Sequence, residues 1–450
     1  MTGERGRARP AVDTTPERGP GFMRGYLGAL GPGLVTGASD DDPSGIATYS
    51  QAGAAYGFSF LWTALLTFPL MAAVQEICDR TALATGKGLG ELATARLHGT
   101  GRKVVIGLVG LLIVANALNI AADLVAVGSG MHLLHAGPTT IWSLLAGLAV
   151  SALVLSGSFE FVARIFKLLC LALFSYLAML FVVHVDWVRV EHATFVPHLP
   201  LRSAELGLLV AILGTTISPY LFFWQNLHRL EEMRDEPAGG ADPKPLPDHE
   251  EIAARKKQRR SRFDVFIGMA FSNIVMFAII VTTAATLGKH GKNNIGSAAE
   301  AASALKPVAG RFASALFAFG FVGAGMLAIP VLAGAGSAGM AGLLGKAAGF
   351  SRSPRRAPTF YALVLAGTIG GTAMTLFSLN PIKLLVFVAV INGIAAAPFL
   401  VLLMLISSDK TIMGDYKNRA LATVFGWSTA ALMSAAGVIL FAYGHGGGLY

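Results

Sequence analysis

Charged residues are scarce in this sequence: of 450 residues, 14% are Asp, Glu, Lys or Arg, whereas 54% are hydrophobic. Soluble domains carry about 25% charged residues. Runs of about 20 residues with no more than one charge recur along the chain, and each is long enough to cross a bilayer as a helix. The runs are too continuous for barrel strands, in which apolar and polar residues alternate. The sequence therefore predicts an all-α membrane protein and not a soluble enzyme.

Cysteine is almost absent, and several catalytic motifs are missing. The two cysteines, Cys78 and Cys170, lie far apart in apolar sequence, which is typical of buried small side chains and not of a metal cluster. The sequence has no His-Glu-x-x-His pair and no Gly-x-x-x-x-Gly-Lys-Ser/Thr phosphate loop. These absences argue against ATP-driven pumping and against intramembrane hydrolysis, and we expect no bound cofactor.

The positive charges are concentrated in alternate loops between eleven predicted spans. The spans are roughly 27–50, 57–77, 104–131, 139–156, 163–183, 205–227, 264–287, 312–340, 358–377, 383–406 and 420–443. With a cytoplasmic N-terminus, most of the 35 Lys and Arg residues fall on the cytoplasmic side, as the positive-inside rule requires. The net charge of +9 follows from these loops and does not indicate a nucleic-acid partner. The sequence predicts a multi-pass plasma-membrane protein whose partner is the lipid bilayer and whose C-terminus is external.

The order of the spans predicts an internal repeat. Residues 1–24 form a predicted disordered cytoplasmic tail, rich in Arg, Gly and Pro, without the apolar run of a signal peptide. Residues 25–227 hold the first repeat and the sixth span, 228–262 a basic cytoplasmic loop, and 263–445 the remaining spans. The spans divide into five, then five, then one. This indicates an inverted repeat, because an odd number of spans in the first half makes the second half cross the membrane in the opposite direction. Such transporters bind their substrate where the first helix of each half is broken.

Both of these helices are predicted to be broken. The interruptions read Asp40-Asp41-Asp42-Pro43-Ser44-Gly45 in span 1 and Thr215-Thr216-Ile217-Ser218-Pro219-Tyr220 in span 6. Proline removes a backbone donor and clashes with the preceding turn, so the carbonyls of Ser39 and Thr215 are candidates for release. A charge at bilayer depth costs a few kcal/mol unless it is paired or hydrated. We therefore predict that Asp42 is a cation ligand or proton acceptor, with helix capping as the alternative.

Further polar residues are predicted near the breaks. Asp40 and Asp41 would line a water-filled vestibule or cap a helix. The spacing of Asn116, Asn119 and Asp123 places all three on one helical face, which predicts a proton or water path, with interhelical hydrogen bonding as the alternative.

Ser218 and Tyr220 offer hydroxyl groups, although both residue types also serve in helix packing. Asn392 begins a further polar break near Pro398, for which a simple kink is the alternative. The predicted ion ligands are Asp42, Ser39, Gly45, Thr215 and Ser218, and the predicted periphery of the site is Asp41, Ser44, Tyr220 and Asn392.

At these residues the sequence resembles the Nramp family of divalent-metal transporters, which have the LeuT-type fold. The similarity covers most of residues 27–443. It is densest in Gly31-Pro-Gly33, Asp42-Pro43, Gln51-Ala-Gly-Ala-Ala-Tyr-Gly57, Thr85-Gly-Lys-Gly88 and Ser408-Asp-Lys-Thr-Ile-Met-Gly414. The resemblance implies a metal site between an Asp-Pro-Gly-Asn break in helix 1 and a Met-Pro-His break in helix 6.

Several of the ligand positions implied by the resemblance are changed. The aspartate Asp42, the prolines Pro43 and Pro219, and the helix-3 aspartate Asp123 are retained. The asparagine ligand of the family falls on Gly45, its methionine on Ser218, its two histidines on Tyr220 and Gln225, and its helix-3 glutamate on Ala126. A thioether favours soft metals over Mg²⁺ and Ca²⁺, so its loss removes that bias. A Nramp-related subgroup that carries Mg²⁺ also lacks the methionine.

The sequence therefore predicts a secondary transporter of divalent cations, Mg²⁺ or broadly selective, with weak or absent proton coupling. Mg²⁺ keeps much of its water shell and is usually held by one or two carboxylates, which suits a site reduced to Asp42. One alternative is a proton-coupled Mn²⁺/Fe²⁺ symporter. Another is a LeuT-type transporter of a small organic solute, because half-helix N-termini attract carboxylates, although Asp42 would repel an anion. The oligomeric state is left open.

Overall fold

Helices form all the regular secondary structure in the described part of the chain, as the sequence predicted. The computed structural model describes residues 32–155, 174–198, 202–236, 243–288, 295, 300–301, 313–377 and 381–444. The predicted tail, residues 1–24, lies outside these residues, as do Gly31, Cys170 and much of the predicted span 163–183.

The first helix of the described chain is broken where the sequence predicted. Its two halves are the first two helices of the chain order, which runs α1 (Pro32–Asp40), α2 (Pro43–Tyr56), α3 (Trp62–Thr85), α4 (Leu89–Arg96), α5 (Thr100–Leu133), α6 (Thr139–Leu155), α7 (Phe174–Leu180) and α8 (Trp187–Phe195). Asp42 adopts extended backbone between α1 and α2, with φ −66° and ψ 170°. Pro43 occupies the first position of α2, where its missing N–H has no intrahelical partner to lose.

The second half begins with the same kind of break. Its helices are α9 (Ser203–Thr216), α10 (Pro219–Asp235), α11 (Glu251–Thr286), α12 (Ala313–Leu343), α13 (Pro358–Met374), α14 (Pro381–Ser407), α15 (Lys410–Met413) and α16 (Ala420–Gly444). Ile217 and extended Ser218 separate α9 from α10, and Pro219 starts α10. Both predicted breaks are therefore present.

Six described helices are long and apolar enough to cross a membrane by length and composition. They are Thr100–Leu133, Ser203–Asp235 (taken through its break), Glu251–Thr286, Phe317–Leu343, Ile382–Ser407 and Ala420–Leu440. The count of eleven spans stays a prediction, because residues 156–173 lie outside the described chain. The segment 228–262, predicted as a loop, is helical at both ends, since α10 continues to Asp235 and α11 begins at Glu251.

Glycines let the broken helices pack closely inside the bundle. A Cβ atom added at Gly33 of α1 would lie 2.6 Å from the backbone carbon of Asp264 on α11. One added at Gly214 of α9 would lie 2.6 Å from the Cα atom of Gly393 on α14. Small residues allow such close approach between membrane helices. The two breaks are thus held between other helices, away from the surface.

A buried ionic network ties three helices together beside the start of α1. Arg229 of α10 pairs with Asp79 of α3 at 2.5 Å, with Asp264 of α11 at 3.2 Å, and with Glu232. The Arg229 side chain is only 6% exposed. Asp264 also accepts the backbone N–H of Gly33 at 2.8 Å. We refer to Arg229 with its three carboxylates as the Arg229 network.

Candidate functional site

The carboxylate of Asp42 lies at the centre of the first break and is 1% exposed. Its Oδ1 atom accepts the backbone N–H of Gly45 at 2.8 Å and the hydroxyl of Ser44 at 2.5 Å. Its Oδ2 atom accepts the amide of Asn119 at 3.2 Å and the phenol of Tyr220 at 3.3 Å. One oxygen therefore caps α2, as the alternative interpretation proposed, while the other faces side chains of α5 and α10.

Tyr220 links the two breaks. Its hydroxyl lies 3.2 Å from the carbonyl oxygen of Ser39 and 3.3 Å from Asp42 Oδ2, so its single hydrogen can be donated to either acceptor. The side chain is completely buried. The Ser39 carbonyl thus accepts from a residue of the second break, whereas the Ser39 hydroxyl donates to Val35 within α1 at 2.7 Å.

Ser218 and Thr215 are hydrogen-bonded to each other at the second break. The Ser218 hydroxyl donates to the carbonyls of Gly214 at 2.6 Å and Thr215 at 3.0 Å. The Thr215 hydroxyl lies 3.4 Å from the Ser44 hydroxyl, across the gap between the two breaks. A Cβ atom at Gly45 would lie 3.2 Å from Thr215 Oγ1, and the Gly45 N–H already donates to Asp42 Oδ1, so this residue supplies a hydrogen-bond donor and not a side-chain ion ligand.

The other acidic residues of the region are buried with few partners. Asp40 Oδ2 accepts the hydroxyl of Ser272 at 2.6 Å, while Asp40 Oδ1 and both oxygens of Asp41 and of Asp123 have no hydrogen-bond partner among the described residues. Within the described chain, no ion pair includes these three residues or Asp42. The centre of the bundle therefore carries acidic groups that no described basic side chain neutralises.

The predicted polar face of α5 divides into different roles. Asn119 reaches Asp42, whereas Asn116 donates to the carbonyl of Leu332 on α12 at 2.9 Å, which is the interhelical bond of the alternative interpretation. Asn392 of α14 is 1% exposed, and neither its side-chain oxygen nor its nitrogen has a hydrogen-bond partner within the described ranges. The structure does not bring Asn392 into hydrogen-bond contact with the other predicted site residues.

Two contacts near the breaks escaped the sequence analysis. Ser272 binds Asp40, and the phenol of Tyr49 lies 3.1 Å from the hydroxyl of Thr216. The sequence does show hydroxyl side chains at these positions within apolar spans. A hydroxyl in a helix more often donates to a carbonyl of its own helix, as Thr283 does at 2.7 Å, so its presence does not predict a contact with another helix.

The atoms near Asp42 that could bind a cation are oxygens, from the Ser44 and Tyr220 hydroxyls and the Ser39 carbonyl. In the described chain, no group of three or more His, Cys, Asp or Glu residues is placed to hold a metal ion. A cation at Asp42 would therefore be held by one carboxylate together with hydroxyl or carbonyl oxygens and water. Carboxylate, carbonyl and water ligands suit Mg²⁺, Ca²⁺ and Mn²⁺.

A family model and several known proteins match most of this chain. The family model for Nramp, described as natural resistance-associated macrophage protein-like, matches residues 33–443. A divalent metal cation transporter MntH from Bacillus subtilis (strain 168) is 27% identical over 448 residues, covering 98% of this chain and 97% of that protein. MntH from Verminephrobacter eiseniae is 26% identical over 423 residues, covering 91% and 88%.

Solved structures show the same fold. An Eremococcus coleocola manganese transporter, in complex with an aromatic bis-isothiourea substituted compound, superposes with a TM-score of 0.71 at 17% identity, covering 96% of this chain and 90% of that one. Mhp1, a nucleobase-cation-symport-1 family transporter in a closed conformation, gives 0.57 at 13% identity, covering 92% of each chain. With a family model spanning most of its length, the chain belongs to the Nramp family, as its motifs predicted.

Proposed function

We propose that this chain is a secondary transporter of divalent metal cations and that Asp42 anchors the ion between the two helix breaks. The observation that carries the proposal is the position of Asp42 Oδ2, which is buried and faces Tyr220 from the second break and Asn119 from α5. A carboxylate at this depth is costly and is retained where it binds or relays a cation.

The charge of the surroundings supports a cation as the substrate. Asp40, Asp41 and Asp123 are completely buried, and in the described chain none of them is paired with a basic side chain. An organic anion would be repelled by these carboxylates, and no contact in the described chain favours an organic solute. The site therefore suits an ion that arrives with positive charge and exchanges water for protein oxygens.

Mn²⁺ is the ion that we place first. The sequence favoured Mg²⁺ or broad selectivity, because the soft methionine ligand is replaced by Ser218. The names of the similar proteins, divalent metal cation transporter and manganese transporter, instead support the Mn²⁺ alternative. A site of oxygen ligands is compatible with Mn²⁺, since Mn²⁺ binds carboxylates, carbonyls and water as Mg²⁺ does.

The ligands would come from both breaks. From the first break come Asp42 Oδ2 and the Ser39 carbonyl, and from the second comes the Tyr220 hydroxyl, which lies within hydrogen-bond distance of both. The hydroxyls of Ser44 and Thr215, 3.4 Å apart, would also hold the ion or its water. Asn119 and Asp123 on α5 would then form the path by which protons or water reach Asp42.

Uptake into liposomes tests this function. Mn²⁺ and Mg²⁺ uptake would be measured side by side with an internal pH dye, using the wild type, Asp42→Ala and the control Asp186→Ala, which removes an exposed carboxylate from the cap of α8. We expect Mn²⁺ uptake by the wild type and by Asp186→Ala, and none by Asp42→Ala. Equal uptake by Asp42→Ala, or no uptake of either ion by the wild type, would overturn the proposal. Acidification during uptake would identify proton coupling.

A further inference from the structure

The N-terminal end of α11 extends as a basic helix beyond its apolar part. The cations on this extension are Arg255, Lys256, Lys257, Arg259, Arg260 and Arg262. The apolar part starts at Phe263, and the whole segment from Glu251 to Thr286 is one continuous helix. The orientation of each cation around the helix is therefore fixed relative to the side chains of the membrane-spanning part.

Two of these cations lie on the lipid-facing side of α11. Phe263 and Ile274 are 40% and 52% exposed, which marks the face that is turned away from the bundle. At about 100° per residue, Lys256 and Arg259 project within an arc of about 60° that also contains Phe263 and Ile274. The buried residue Ser272 lies on the opposite side of the helix. Lys256 and Arg259 thus lie on the same face of α11 as the exposed side chains Phe263 and Ile274.

The remaining cations are largely neutralised by neighbouring carboxylates. The ion pairs are Arg255–Glu251 at 2.6 Å, Lys257–Glu236 at 2.7 Å and Arg262–Glu76 at 3.2 Å. Within the described chain, Lys256 and Arg259 enter no ion pair. Lys256 and Arg259, which we call the basic face, therefore present uncompensated charge on the side of the helix that faces the lipid.

The basic face lies one to two helical turns before the apolar part of α11. With a rise of about 1.5 Å per residue, Arg259 lies about 6 Å beyond Phe263 along the axis and Lys256 about 10 Å beyond it. The headgroup layer on each side of a bilayer is roughly 5–7 Å thick. Long basic side chains bend towards the nearest phosphate layer. Both cations are consequently within reach of lipid phosphates.

We propose that the basic face binds the phosphate groups of anionic membrane lipids. Charge complementarity supports this partner, because Lys and Arg clusters next to a membrane-spanning helix are attracted to anionic headgroups. The predicted topology assigns the face to the cytoplasmic leaflet. The proposal depends on the membrane position of α11 and not on which solute the protein carries.

Native mass spectrometry of lipid binding tests the proposal. Phosphatidylglycerol and phosphatidylcholine would be titrated separately onto the detergent-solubilised full chain, for the wild type, for Lys256→Gln/Arg259→Gln and for a control. The control, Arg355→Gln/Arg356→Gln, removes two exposed cations that precede α13 and are not on α11. Glutamine has nearly the helix propensity of Lys and Arg, so α11 should stay intact.

We expect the wild type and the control to bind phosphatidylglycerol more tightly than phosphatidylcholine. The double variant on α11 should bind phosphatidylglycerol about 30-fold more weakly, because each cation contributes roughly a fivefold factor. The preference of the wild type should also decrease with added salt. Equal loss in the control, equal binding of the two lipids by the wild type, or equally strong competition by soluble glycerol phosphate would overturn the proposal.

Discussion

The phenol oxygen of Tyr220 lies 3.3 Å from Oδ2 of Asp42, although the two residues are 178 positions apart in the chain. Tyr220 follows the proline that starts α10, and Asp42 precedes the proline that starts α2. This hydrogen bond joins the two broken helices at the carboxylate oxygen that we assign to the ion. A hydroxyl at this place can hold the carboxylate in position before the ion arrives and then turn its oxygen towards the ion.

Tyr220→Phe tests this double role. The variant keeps the ring in its buried position but removes the hydrogen bonds to Asp42 and to the Ser39 carbonyl. A hydrogen bond to a charged group contributes about 1.5–3 kcal/mol, so we expect the KM for Mn²⁺ uptake to rise roughly tenfold or more. Tyr361→Phe, which removes a hydroxyl bound to the Arg352 carbonyl, serves as the control. A lower KM would show that the Tyr220 hydroxyl competes with the ion.

Asp41→Asn should stabilise the metal-free protein. In the part of the chain that the structure describes, both carboxylate oxygens of Asp41 are buried without a hydrogen-bond partner, and burial of an unpaired charge is unfavourable. Removing the charge while keeping the shape should raise the thermal unfolding midpoint, with a gain of about 1 kcal/mol. Asp186→Asn at an exposed helix cap should not raise it. A lower midpoint for Asp41→Asn would mean that the carboxylate has a stabilising partner, such as a bound cation.

The two breaks could be predicted from the sequence because the signals are local. Prolines at 43 and 219 each begin a helix, and a run of aspartates precedes the first of them. A proline prevents a helical hydrogen bond at its own position, whatever the surrounding fold. The same reasoning could not find the contact between Ser272 and Asp40, because it depends on how α11 packs against α1.

The Arg229 network shows a second limit. The predicted spans ended at residue 77 and at 227 and resumed at 264, so Asp79 and Arg229 were assigned to loops. The helices in fact continue through both positions, and both side chains are buried. Hydropathy treats each charge as a cost, whereas an ion pair with additional hydrogen bonds can be buried. Which charges pair is a property of the packed bundle and cannot be read from one segment.

Arg229→Gln should destabilise the protein strongly. Arg229 pairs with Asp79, Glu232 and Asp264, and Asp79 and Asp264 are each 2% exposed. Removing one partner of a buried pair costs about 3–5 kcal/mol, because the remaining carboxylates are left uncompensated. The measurement is chemical denaturation in detergent. Arg189→Gln, which breaks an exposed pair with Asp186, should cost less than about 1 kcal/mol. Equal costs for the two variants would contradict a stabilising role of the network.

Ser218→Cys should shift the ion preference towards soft metals. The Ser218 side chain is buried at the second break, at the position where the resemblance to the family implies a methionine ligand. A thiol is close in size to the hydroxyl, so the packing is kept, and sulfur ligands favour Cd²⁺ over Mg²⁺.

We expect the ratio of Cd²⁺ to Mg²⁺ binding or uptake to rise on the order of tenfold in Ser218→Cys. Ser218→Ala removes the same hydroxyl without adding sulfur and should not raise the ratio. Ser434→Cys on α16 places a thiol on another helix, where the serine makes a similar hydrogen bond to its own helix at 2.7 Å. If Ser434→Cys raised the ratio as much as Ser218→Cys, the thiol would act by non-specific binding. An unchanged ratio in Ser218→Cys would place the ion out of reach of position 218, since a soft ligand at bonding distance has to favour Cd²⁺.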